Sequence, residues 1–135
     1  MKVWNKSTSS VSTLSTAGVH VYGLAVDTAG NVFYGDVTNL LLWNATTKST
    51  STFLTGFGFI TGMSFDTAGN LFIADDSNKA IYVWNATTNS KSSFLSGLNA
   101  PSDVAFDTAG NLYYCERRNF TNTPGNLVVK KYYIN

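Results

Sequence analysis

Asp27-Thr28-Ala29-Gly30-Asn31, Asp66-Thr67-Ala68-Gly69-Asn70 and Asp107-Thr108-Ala109-Gly110-Asn111 are one phrase written three times, at spacings of 39 and 41 residues. Recurrence at this period marks a structural repeat. The chemistry of the phrase is that of a tight turn. Its Asp can accept hydrogen bonds from amides just ahead of it, and its Gly supplies the positive φ that a hairpin needs there.

The flanks have a period of two, as in strands. Leu24-Ala25-Val26, Met63-Ser64-Phe65 and Val104-Ala105-Phe106 precede the turns and define strand a. Val32-Phe33-Tyr34-Gly35, Leu71-Phe72-Ile73-Ala74 and Leu112-Tyr113-Tyr114-Cys115 follow them as strand b. A carboxylate and an asparagine three residues later come next: Asp36 and Asn39, Asp75 and Asn78, Glu116 and Asn119. Such pairs can close loops by side-chain to backbone bonds. Leu41-Leu42-Trp43 and Tyr82-Val83-Trp84 read as strand c, Asn-Ala-Thr-Thr as the next turn, and Thr52-Phe53-Leu54 and Ser93-Phe94-Leu95 as strand d. No helical period interrupts the pattern.

Val3-Trp4-Asn5 matches strand c and Thr13-Leu14-Ser15 matches strand d, so the chain opens in mid-repeat. The third repeat has strands a and b, a longer loop with Pro124-Gly125, and a divergent strand c in Leu127 to Ile134. The expected division of this single segment, 1–135, is 1–18 (strands c and d of a split unit), 19–58, 59–99 and 100–135, the last incomplete. Four-stranded repeats of about 40 residues point to an all-β fold, a β-propeller of antiparallel blades, with about three blades in this chain.

Gly23-Leu24-Ala25-Val26-Asp27, then Gly30 to Tyr34, then Asp36 and Asn39, resembles the NHL repeat family of β-propellers, and the copy from Gly62 to Asn78 resembles it most closely. Pro101-Ser102-Asp103 is similar to the Pro-x-Gly that opens such repeats, with Asp103 in place of the Gly. The resemblance implies a ring of about six blades, and an open array would expose the apolar faces of its end blades. The expectation is therefore a head-to-tail homodimer with strand exchange. In it the segment from about Ser9 to Ser15, with or without Val3-Trp4-Asn5, completes the partner's last blade beside Asn111 to Cys115.

Composition narrows the function classes. Residues are 44% hydrophobic and 13% charged, against about 25% charged in an average soluble domain, so neutral polar groups carry solubility. A net charge of +1 supplies no broad field for nucleic acid, so RNA or DNA is not an expected partner. No apolar run approaches the roughly 20 residues of a membrane span, and residues 1–5 do not read as a signal peptide, so a soluble chain is expected. Cys115 is the only cysteine, which excludes an internal disulfide, and it is expected to be a buried small residue.

In a propeller of this type the d-to-a and b-to-c loops share one face. His20, Tyr22, Phe59, Arg117 and Arg118 fall there and are the candidate ligand-binding residues; the two arginines break the repeat register. His20 has no second histidine and no nucleophile motif beside it, so no catalytic residue, metal ligand or cofactor is assigned. Asn5, Asn44, Asn85 and Asn119 lie in glycosylation sequons, although three of these are copies of one turn. Trp4, Trp43 and Trp84 are expected in the core between blades. The function this predicts is a non-enzymatic binding or scaffold module for a protein, peptide or glycan. The alternative is a calcium-dependent lactonase or lyase of the kind found on related propellers, for which Asp103 is the one suggestive channel residue.

Overall fold

The computed structural model describes residues 1–14, 20–117 and 127–132. Its strands form four antiparallel sheets in which chain order is spatial order. β1 (Lys2–Asn5) and β2 (Ser10–Thr13) make a hairpin. Blade 1 is β3 (Val21–Val26), β4 (Val32–Asp36), β5 (Asn39–Trp43) and β6 (Thr50–Leu54). Blade 2 is β7 (Ile60–Phe65), β8 (Leu71–Asp75), β9 (Ala80–Asn85) and β10 (Ser90–Leu95). Blade 3 has three strands among the described residues: β11 (Pro101–Phe106), β12 (Leu112–Arg117) and β13 (Leu127–Tyr132). Among the described residues no helix is long and apolar enough to cross a membrane.

Each Asp-Thr-Ala-Gly-Asn turn is closed by the same bonds. The Asp27 Oδ1 accepts from the amides of Ala29 (2.9 Å) and Asn31 (2.8 Å), while Oδ2 takes the Asn31 side-chain amide at 2.8 Å. Gly30, Gly69 and Gly110 stand at φ 83°, 83° and 84°, where a side chain would be strained. Asn31 Oδ1 then accepts the Ala45 amide at 2.9 Å, tying the first hairpin turn to the second, and Asn70 does the same for Ala86 at 3.0 Å.

Between blades 1 and 2, Phe33 meets Phe53 and Phe65 edge-on at 5.0 and 5.2 Å, and Phe53 meets Trp84 at 5.0 Å. Between blades 2 and 3, Phe72 meets Phe94 and Phe106 at 5.0 and 4.9 Å, and Phe94 meets Tyr132 at 5.2 Å. The second set repeats the first with Tyr132 in the place of Trp84. Leu71, Ile73 and Ile81 are sealed in these layers, each contributing roughly 1.5–3 kcal/mol of burial.

The N-terminal hairpin lies on the opposite face of blade 1, where Met1 and Leu14 pack on Val32, Tyr34 and Trp43. By alignment Met1 corresponds to Leu40 and Leu14 to Phe53, the residues that blade 1 presents to blade 2. The hairpin therefore sits where strands c and d of a preceding blade belong, and the ground beside it is bare. Val21, Tyr22, Leu24 and Val26 of β3 are exposed, Leu24 at 54%, whereas Val104, its counterpart in blade 3, is 4% exposed.

Three expectations are corrected. Trp43 is buried and Trp84 partly so, but Trp4 is 60% exposed, because among the described residues no strand packs over its face of the hairpin. Cys115 is half-buried, since it lies on the outer face of blade 3, over which no sheet of the described residues packs. Of the two carboxylate and asparagine pairs that fall within the described residues, one closes a loop as expected. Asp75 accepts from the amide and side chain of Asn78 (3.1 and 2.8 Å), whereas Asp36 and Asn39 face each other across a two-residue turn as ladder partners. Asn119 lies outside the described residues.

Candidate functional site

The first and innermost strands of the blades converge. Each carries a bulge, between Tyr22 and Leu24, Ile60 and Gly62, and Pro101 and Asp103. There Gly23, Gly62 and Asp103 stand at equivalent places. A Cβ on Gly23 would come within 2.9 Å of the Gly62 Cα, and one on Gly62 within 2.7 Å of the Asp103 Cα, so strand approach itself demands glycine. Thr61 Oγ1 donates to the Pro101 carbonyl at 2.8 Å and stitches β7 to β11. Asp103 is the exposed exception, with its carboxylate accepting the Val104 amide at 2.9 Å.

On the loop face, backbone bonds knit the d-to-a and b-to-c loops together: Ile60 N to Val37 O at 3.0 Å, Asp76 N to Phe59 O at 2.9 Å, Leu98 N to Lys79 O at 2.9 Å. Asp75, fully buried, anchors this face by accepting the amides of Gly58 (2.8 Å) and Phe59 (2.9 Å). Glu116 does the equivalent for Asn99 at 3.2 Å and pairs with Lys130. These carboxylates are occupied with structure.

Four of the five candidate residues fall on this face. His20 and Tyr22 have ring centroids 6.4 Å apart, and Tyr22 packs on Phe59 at 4.7 Å, bridging blades 1 and 2. Phe59 leads through its carbonyl to Asp76, which forms an ion pair with Arg117 of blade 3 and another with Lys79 at 2.9 Å. The result is a row across three blades, aromatic at one end and charged at the other. Arg118 lies outside the described residues. The Arg117 to Asp76 pairing was not legible in the sequence, since it joins residues 41 apart on neighbouring blades.

A second feature lies on the opposite face. A cleft of about 460 Å³ opens between blades 1 and 2, lined by Val26, Phe33, Phe65, Trp84 and the turn residues Asp27 and Asp66. Sequence reasoning placed no site there, because the cleft exists only through the stacking of two blades. Asn5, Asn44 and Asn85 lie on this turn face, where each Oδ1 accepts two backbone amides ahead of it. Among the described residues no three His, Cys, Asp or Glu side chains come together as a metal site would require.

Solved structures share this architecture. The chain superposes on a gluconolactonase from Xanthomonas campestris with TM-score 0.68 and 18% identity, covering 78% of this chain and 37% of that one. For a structure of the nidogen/laminin complex the values are 0.69, 21%, 82% and 45%. For hydrazine synthase from Kuenenia stuttgartiensis they are 0.77, 16%, 96% and 38%. The chain thus spans less than half the length of each. At these identities the likeness is one of fold, and the fold is that of a β-propeller. No protein-family model and no curated protein sequence matches the chain.

Proposed function

We propose that this chain is a non-enzymatic binding module built on NHL-type repeats, that a second copy closes it head to tail into a ring of about six blades, and that the loop face holds its ligand. The observation that carries the closure is the match between its two open ends. Blade 1 lacks a cover for Leu24 and Val26 beside a hairpin that already fills the outer half of the missing blade. Blade 3 presents the inner half, β11 and β12, with Tyr113 and Cys115 only half-buried at the places where blade 2 buries Phe72 and Ala74. Light scattering tests it: a mass near twice 14.6 kDa is expected, and a folded, monodisperse monomer overturns it.

For the ligand, the row from His20 through Tyr22 and Phe59 to Arg117 offers flat apolar rings beside charge, a combination suited to a peptide or glycan. Peptide and glycan arrays probed with the wild type and with the double variant Arg117→Ala, Arg118→Ala test it. Signal lost in a folded variant supports the loop face, and unchanged signal moves the site elsewhere.

A second reading is a calcium-dependent lactonase. What favours it is Asp103, a carboxylate on the innermost strand where both other repeats carry glycine, together with the gluconolactonases among the similar folds. Calcium-dependent hydrolysis of gluconolactone that Asp103→Ala abolishes would establish it in place of the binding module.

A further inference from the structure

We infer that β13 is a stand-in, and that in the closed ring β1 of the second copy takes its seat on β12, with Trp4 replacing Tyr132 against Phe94. This rests on the two-copy ring proposed above and says which strand completes it. The motive is a conflict of seats. The N-terminal hairpin occupies the places of strands c and d relative to blade 1, leaving room beside it for strands a and b alone. Blade 3 offers a, b and also c, because β13 already pairs with β12.

The registers show how like the two strands are. In blade 2, Leu71 faces Trp84 and Ala74 faces Ile81; in blade 3, Leu112 faces Tyr132 and Cys115 faces Val129. Aligned on its tryptophan, β1 would set Trp4 opposite Leu112 and Met1 opposite Cys115. At the place of the sealed Ile81, Val129 of β13 is 62% exposed on the uncovered face of blade 3. β1 would bring Met1, which already packs on blade 1, and β2 as the fourth strand that blade 3 lacks among the described residues. It also comes with its turn formed: Asn5 Oδ1 accepts the amides of Ser7 (2.8 Å) and Thr8 (3.2 Å), as Asn44 and Asn85 do in intact blades. Until a second copy arrives, β13 covers an edge that would otherwise recruit stray strands.

The test uses the full chain. Val129→Cys places a thiol opposite Cys115, the only native cysteine, so oxidation staples β13 to β12 and reduction frees it. Sedimentation equilibrium of both forms is expected to give a dimer when reduced and loss of that dimer when oxidised. Dimers in both forms overturn the strand replacement while leaving the ring intact. Monomers in both forms, with a monomeric wild type, overturn the ring and the replacement with it. A second pair of variants reads the competition directly: Trp4→Ala should raise the dimer dissociation constant by about threefold to tenfold and Tyr132→Ala should lower it by about as much. Changes in the same direction would show that the two residues do not compete for Phe94.

Discussion

Ile81 in blade 2 and Val129 in blade 3 hold the same register position, yet one is sealed and the other stands in solvent. The strands beneath them are alike: β8 and β12 share their alternation, the Asp-Thr-Ala-Gly-Asn turn before them and a carboxylate, Asp75 or Glu116, at the same place. Neighbours make the difference. Blade 2 is covered on both faces, by blade 1 and by blade 3, whereas blade 3 has a cover on one face and a shallow groove of about 170 Å³ over Ala105, Tyr113 and Cys115 on the other. A propeller blade is therefore half of a core, and identical sequence logic yields a sealed or an open position according to what stacks on it.

The comparison breaks first, and by the most, on a pair of truncations. Ile81→Ala should lower the free energy of unfolding in urea by about 2–5 kcal/mol, as for other large-to-small changes in sealed cores. Val129→Ala should stay within about 0.5 kcal/mol, the range of surface substitutions. Equal losses would mean that β13 is covered as well as β9 is.

The loop carboxylates give the next largest contrast. Asp75 holds three backbone amides and the Asn78 side chain, so Asp75→Ala leaves several buried donors without an acceptor and should cost about 3 kcal/mol or more. Among the described residues Glu116 accepts from one amide, Asn99, and pairs with Lys130, so Glu116→Ala should cost about half as much. Thermal melts of the two variants decide the order, and a costlier Glu116 would show that the blade 3 loop is the firmer of the two.

Much of this was readable beforehand because a turn is local chemistry. The Asp, Gly and Asn at 27, 30 and 31 satisfy one another within five residues, and that legibility extends to the strands on either side. The candidate face was legible in the same way, since alternating loops fix which ends of the strands His20, Phe59 and Arg117 occupy. What lay beyond reach depends on contacts between blades. Nothing local to Trp4 distinguishes it from Trp43, yet one is exposed and the other buried. The Asp76 to Arg117 pair and the cleft beside Trp84 are likewise products of stacking.

Cys115 reports on the open face with a smaller effect. Burial, and then the nearby Asp103 carboxylate, push its thiol above the ordinary range, so the reactive thiolate is scarce at neutral pH. Labelling by a thiol reagent should be slow and should slow further as protein concentration rises, because a second copy would cover blade 3. A labelling rate independent of concentration would argue that nothing docks there.

The smallest contrast lies between the turns themselves. Asp107 has a hydrogen-bond donor that the other two turns lack, since Tyr113 stands where they carry Phe33 and Phe72, and its hydroxyl lies 3.2 Å from Asp107 Oδ2. The Asn111 side chain and backbone hold the Asp107 carboxyl below the usual value against an upward push from burial, and the Tyr113 hydroxyl and the Ala109 amide add smaller downward contributions. A carboxylate whose pKa is depressed in the folded state contributes its stability above the unfolded value of about 3.9 and loses it as pH falls through the folded one. Tyr113→Phe removes one donor, so the Asp107 carboxyl should titrate closer to the ordinary value and the acid-side loss of stability should begin at slightly higher pH. Carboxyl carbon chemical shifts followed from pH 6 to pH 2 measure the first, and melts over the same range measure the second. If Asp107 titrates identically in Tyr113→Phe, the tyrosine contributes packing alone.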